Sequence, residues 1–128
     1  MTTQPMAPPR LLTVAEYLDI GEIEIGYSEL VEGRLVMSPS PVPDHNHAGS
    51  EMWLQVRNQL PQHLEAIQDT DVDLRLSPSA APGFVRRPDL IVAQRGSRQR
   101  VRREGGVIRA GEVPVSYTHL TLPTNREV

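Results

Sequence analysis

The sequence predicts an α/β or α+β domain. Three observations carry that prediction. Apolar residues recur at helical spacing in two stretches, they alternate or cluster in short runs in several others, and Pro or Gly separates one kind of stretch from the next. The predicted order is helix, hairpin, helix, strand, strand.

"TVAEYLDIG" opens with Thr13 and Glu16 three residues apart, the spacing of a capping box, so a short helix is expected from about residue 14 to 20, ending at Gly21. Val14, Tyr17 and Leu18 form its buried stripe. In "YSELVEGRLVMSPSP", Leu30-Val31 and Leu35-Val36-Met37 flank Glu32-Gly33 as the strands of a hairpin flank its turn, and Pro39 and Pro41 end the second strand. "DHNHAGSEMWLQVRNQL" starts at Asp44, a good N-cap residue, and places Ala48, Met52, Trp53, Val56 and Leu60 on one helical face before Pro61. Val72, Leu74 and Leu76 alternate with polar residues, as in a half-buried strand, and "DLIVA" reads as an inner strand. One core is expected to gather Leu30, Val36, Ala48, Met52, Trp53, Val56, Val72, Leu74, Leu90 and Val92.

The 128 residues suit one domain, and 38% hydrophobic residues with 4% aromatics and twelve prolines imply a lean core interrupted by loops. Cysteine is absent, which excludes disulfides, thiolate metal sites and cysteine nucleophiles. All thirteen basic residues are arginine, so no mechanism here uses a lysine. The N-terminus lacks a signal-peptide pattern and no apolar run reaches membrane-spanning length, so a soluble, cytoplasmic protein without a membrane partner is expected. The net charge of −3 hides an uneven distribution: residues 1–85 hold twelve acids against four arginines, whereas residues 86–112 hold eight arginines against three acids.

"YSELVEGRLVMSPSPVPDH", the helix after it and "RRPDLIVA", taken in that order, resemble the Uma-type endonuclease family of the restriction endonuclease-like PD-(D/E)XK superfamily. The resemblance covers roughly residues 13–113. It implies a curved mixed sheet flanked by helices, here an incomplete restriction endonuclease-like fold, and phosphodiester hydrolysis dependent on Mg²⁺ or Mn²⁺. The implied partner is nucleic acid, DNA ahead of RNA, with homodimerisation left open. Asp89 matches the Asp of the PD pair, which binds metal at a strand start. Glu29 matches the hairpin acid that assists metal or water binding, and His45 matches the histidine at the helix start, which contacts phosphate or moves a proton. The plainer readings are a solvated Asp89 or one paired with Arg86 or Arg87, an outward-facing Glu29, and a first-turn polar role for His45 and for His47, which faces elsewhere on the helix.

Arg86, Arg87, Arg98, Arg100, Arg102 and Arg103 are candidate phosphate contacts, because clustered arginines give salt-dependent affinity for nucleic acid. The competing reading of "RGSRQRVRREGG" is a short solvated helix, since no aromatic residue interleaves to stack on bases. After "GGVIRAGEV" the chain departs from the family, which continues with a strand bearing a second acid. "PVSYTHLTLPTNREV" resembles translated sequencing-adapter DNA instead, the other reading being a divergent edge strand at Leu120–Leu122. The expected organisation is a flexible N-terminal segment over 1–12, a truncated domain over 13–113 and a non-native tail over 114–128. The expected activity is that of an endonuclease left inactive by truncation, which leaves one carboxylate on the PD strand and no lysine to orient water, with an open edge beside "DLIVA" that invites aggregation. The alternative is a catalytically silent nucleic-acid-binding or protein-interaction module using residues 86–109.

Overall fold

The computed structural model describes residues 10–20, 27–38 and 41–117. Helix α1 spans Val14–Ile20, and the predicted capping box forms: the Thr13 N–H donates to Glu16 Oε1 at 2.9 Å, and the Glu16 N–H donates to Thr13 Oγ1 at 3.2 Å. Tyr17 is buried and its hydroxyl donates to the Ser28 carbonyl at 2.8 Å, which fixes α1 against the hairpin. Gly21 lies outside the described residues.

Strands β1 (Tyr27–Val31) and β2 (Arg34–Ser38) pair antiparallel, with Val31 opposite Arg34. Glu32 and Gly33 have φ of 49° and 81°, the two left-handed positions of a type I′ turn. Gly33 also ties the turn to its surroundings. Its N–H donates to the Gly83 carbonyl and its own carbonyl accepts from Leu12 N–H, both at 2.8 Å, while Gly83 N–H donates to Leu12 at 3.0 Å. Leu12, placed by the sequence reading in the flexible N-terminal segment, is therefore held by the fold.

Helix α2 spans Pro43–Arg57, so it starts one residue before the expected cap. Val42 is the cap position, with extended backbone and no capping side chain, and Pro43 opens the helix with a fixed φ and no N–H to satisfy. Asp44 sits instead in the first turn, where a negative charge meets the positive end of the helix dipole. Leu60 lies past the helix end.

Strand β3 (Leu64–Gln68) is absent from the sequence-based order because all five residues are half-buried and no alternation marks them. Strand β4 covers only Val72–Asp73. The expected run to Leu76 breaks because Arg75 turns left-handed at φ 55°, its N–H bonded to Asp73 Oδ1 at 2.9 Å, which leaves Leu76 66% exposed. Then come β5 (Val85–Arg86), β6 (Leu90–Gln94), α3 (Ser97–Glu104), β7 (Ile108–Arg109), a 3₁₀ turn at Ala110–Glu112, and β8 (Val115–Tyr117).

The strands divide between two sheets. One has the order β2-β1-β5-β4-β7, antiparallel except for the parallel β4–β7 pair, and the other is antiparallel with the order β3-β6-β8. β6 is the predicted inner strand. The edge expected to be open is covered by Val115–Tyr117, residues from the segment read as a non-native tail, while Leu120–Leu122 lies outside the described residues.

The single expected core is two clusters. Val72, Ile91, Ala93 and Ile108 form one, with Leu74 and Val101 packed against it; Tyr17, Leu30 and Val85 form the other, flanked by Leu12, Val14 and Leu18. Leu90 and Val92 are buried as expected, but Ala48, Met52, Trp53 and Val56 are only half-buried, because α2 lies against β3 at the margin of its sheet. Val36 is exposed on the edge strand β2. No helix among the described residues is long and apolar enough to cross a membrane.

The hairpin turn is the point where this packing tolerates least change. A Cβ on Gly33 would stand 2.7 Å from Pro82 Cβ and 2.9 Å from Leu11 Cβ, at a φ that L-residues rarely adopt. Gly33→Ala is expected to cost about 2–4 kcal/mol by chemical denaturation, combining left-handed strain with overpacking. Glu32→Gly, at the other left-handed position, is expected to stay within about 1 kcal/mol of the parent.

Candidate active site at the junction of the two sheets

Between Val85 and Leu90 the chain leaves the five-stranded sheet and enters the three-stranded one, and Arg87, Pro88 and Asp89 make the passage. Pro88 cannot donate a hydrogen bond and biases Arg87 away from helix, so it separates β5 from β6 and leaves Asp89 at the mouth of the new strand. Asp89 is buried, 7% exposed. His45, in the first turn of α2, reaches it: His45 Nε2 stands 3.1 Å from Asp89 Oδ1. An ionised carboxylate only accepts, so beside an ionised Asp89 the Nε2–H donates and Nδ1 becomes the basic atom of a neutral ring.

Glu29 comes from the middle of β1 and is 8% exposed. Its Oε2 accepts the Arg87 N–H at 2.5 Å and lies 3.5 Å from Arg86 Nε. The carboxylate that the resemblance assigns to metal or water thus braces the passage that presents Asp89, with Oε1 left over.

Two further acids converge here that sequence reasoning passed over. Asp69 follows β3, and its N–H donates to the Asp89 carbonyl at 3.2 Å. Burial raises the Asp69 carboxyl above the usual carboxylate range, and the Asp89 charge raises it further, against the pull of Arg87 and His45. Burial likewise raises Asp71, Arg87 opposes, and the Glu29 charge adds to the rise; Asp71 Oδ1 is buried, with no hydrogen-bond partner among the described residues. The only signal in the sequence was the alternation of acids in "DTDVD", a weak one by itself.

The other candidates separate. Arg86 and Arg87 flank the site, and Arg87 Nε donates to the Asp69 carbonyl at 3.2 Å. Arg100 turns inward: its Nε and Nη2 clasp Glu112 at 2.6 and 2.8 Å, which lowers the Glu112 carboxyl and removes this guanidinium from any phosphate-binding surface. Arg98 pairs with Glu65, while Arg102 and Arg103 are exposed on α3. His47 is exposed two residues from His45.

Among the described residues no group of three His, Asp or Glu side chains is arranged to hold a metal ion. The site offers two carboxylates, Asp89 and Asp69, whose residues are joined by the Asp69 N–H to the Asp89 carbonyl. That donor set suits Mg²⁺, which takes one or two carboxylates and fills its other positions with water and phosphate.

Because Asp71 is raised in the folded chain, it binds its proton more tightly folded than unfolded, and the stability lost to its ionisation accrues as pH rises from the ordinary carboxylate value through the folded one. Asp71→Asn is therefore expected to raise Tm at pH 7, with a gain that shrinks as pH falls toward 4, measured by thermal denaturation across that range.

The family model of Uma2, described as "Putative restriction endonuclease", matches residues 14–116. Among solved structures the chain is similar to one from Anabaena variabilis ATCC 29413, described as a putative nuclease belonging to DUF820, with a TM-score of 0.54 and 23% identity over 67% of this chain. The likeness shows the fold, and it spans 45% of the length of that protein. No curated protein matches the chain. With the family model covering α1 through most of β8, the chain belongs to the Uma2 family.

Proposed function

We propose that the junction site is that of a divalent-metal-dependent endonuclease acting on nucleic-acid phosphodiesters, DNA first. The observation that carries this reading is the geometry of the junction: His45 Nε2 stands 3.1 Å from Asp89 Oδ1, and Asp69 is tied to the Asp89 carbonyl at 3.2 Å, so that one histidine and two acids meet at the mouth of β6. Asp89 and Asp69 would hold Mg²⁺ or Mn²⁺; when bound, such an ion polarises phosphate and lowers the pKa of its water. Asp89 orients His45 through Nε2, leaving Nδ1 to accept a proton. Glu29 holds the Arg87 amide, and with it the Asp89 backbone, in position. Arg86 and Arg87 supply positive charge beside the scissile phosphate, the role for which this lysine-free chain has only arginine.

The carboxylate pair is a short donor set, and we read this chain as inactive or nearly so. The test combines Mn²⁺ binding by calorimetry with cleavage of plasmid DNA and single-stranded RNA in Mg²⁺, Mn²⁺ and EDTA. The chain is expected to bind Mn²⁺, with affinity falling at least about tenfold in Asp89→Ala, and to cleave no faster than the EDTA blank. Absence of Mn²⁺ binding would overturn the metal site. Metal-dependent cleavage by the present chain that vanishes in Asp89→Ala would overturn its inactivity.

A further inference from the structure

The arginine-rich segment lacks an aromatic residue, but the fold brings one to it. A groove of about 540 Å³ lies along β3 between α2 and the start of α3, lined among others by Trp53, Arg57, Glu65, Gln68, Arg95 and Arg98. Its volume suits a nucleotide-sized group. The indole is fixed: Trp53 Nε1–H donates to the Ala66 carbonyl at 2.8 Å, and the Arg57 guanidinium lies over the ring, 5.4 Å from its centroid. Arg95 is held without losing its charge, because its Nε and Nη2 donate to the neutral carbonyls of Gln62 and Leu64 at 2.6 and 3.1 Å. Three arginines thus face one carboxylate, Glu65, which pairs with Arg98 Nε at 2.5 Å. Among the described residues no carboxylate pairs with Arg57 or Arg95.

The groove also points at the junction site. Gln68, at one end of it, pairs in register with Leu90, the residue after Asp89, and α2 runs from His45 beside Asp89 to Trp53 about 12 Å further along its axis.

We propose that this groove binds a single-stranded nucleic-acid segment, with a base on the Trp53–Arg57 platform and backbone phosphates at Arg95 and Arg98. Base stacking on aromatic and guanidinium planes requires an unstacked base, which a strand provides and an intact duplex does not. Cationic groups held in place by ring and carbonyl contacts supply the phosphate attraction. The choice of ligand rests on the nuclease reading, but the binding does not need the metal site, so it is measured in EDTA.

The experiment uses fluorescein-labelled twelve-nucleotide oligo-dT and oligo-U, with a duplex of the same length as competitor, followed by anisotropy across a salt series. Trp53 is the only tryptophan in the chain, so quenching of intrinsic fluorescence reports occupancy of the groove directly. Expected are saturable quenching by the single strands, a weaker duplex, and about five- to hundredfold weaker binding for Trp53→Ala, with Trp53→Phe close to the parent. Arg95→Gln, which leaves the apolar packing alone, is expected to weaken binding and to reduce the log–log salt slope by about 0.7. Arg75→Ala, an exposed arginine outside the groove, is expected to change nothing. No binding by the parent in EDTA, duplex bound as tightly as single strand, or affinity unchanged in both Trp53→Ala and Arg95→Gln would each overturn the proposal. Stronger binding of oligo-U than oligo-dT, or the reverse, assigns the strand as RNA or DNA within it.

Discussion

The Arg87 N–H, in the passage between the two sheets, is bonded to a side chain rather than to a neighbouring strand, and that side chain is Glu29, three residues before the hairpin turn. A charge-assisted bond of 2.5 Å to a carboxylate that is itself 8% exposed anchors the passage to the middle of β1. Much follows from it. Pro88 is buried behind the anchored residue, Asp89 is delivered to the mouth of β6, and the start of α2 is set where His45 meets it. The turn at Glu32-Gly33, tied through Gly33 to Leu12 and Gly83, keeps β1 in register so that Glu29 faces this passage.

The same junction carries a cost that packing alone does not explain. Glu29, Asp69, Asp71 and Asp89 share one region, desolvation raises Asp69 and Asp71, and among the described residues Asp71 Oδ1 has no hydrogen-bond partner. A structural role would favour fewer acids crowded into one place, or a full set of donors around them. Perturbed acids gathered in one place are what a site that handles cations or protons requires. The contrast lies across the molecule at Arg100 and Glu112. There a half-buried carboxylate is matched donor for donor by a guanidinium, and its carboxyl is lowered rather than raised. One acid is there to hold α3 to the turn after β7; at the junction Asp71 Oδ1 has no such donor among the described residues.

How much of this was legible in the sequence depended on how local the cause was. The bounds of α1 follow from Thr13 and Glu16, and the hairpin from Glu32-Gly33, because capping and turn chemistry act within four residues. Asp89 was legible through its proline and the apolar run after it. β3 was not, since a strand half-buried on both faces has no alternation, and β4 was overdrawn because the left-handed Arg75 cannot be read from an alternating pattern. Asp69 meets Asp89 only through the β3–β6 register, which pairs Gln68 with Leu90, and Trp53 meets Arg95 and Arg98 only because α2 lies along β3. Long-range pairing decides both, and no short window of sequence contains it.

The central claim is that the junction acids form a divalent-cation site, and paramagnetic NMR tests it most directly. Substoichiometric Mn²⁺ added to ¹⁵N-labelled chain broadens amide resonances near the bound ion and leaves the rest untouched. The account predicts selective loss of the Asp69, Asp89 and His45 amide signals, with those on exposed α3 unaffected. Broadening centred on another acidic surface, or spread evenly over the chain, would contradict it.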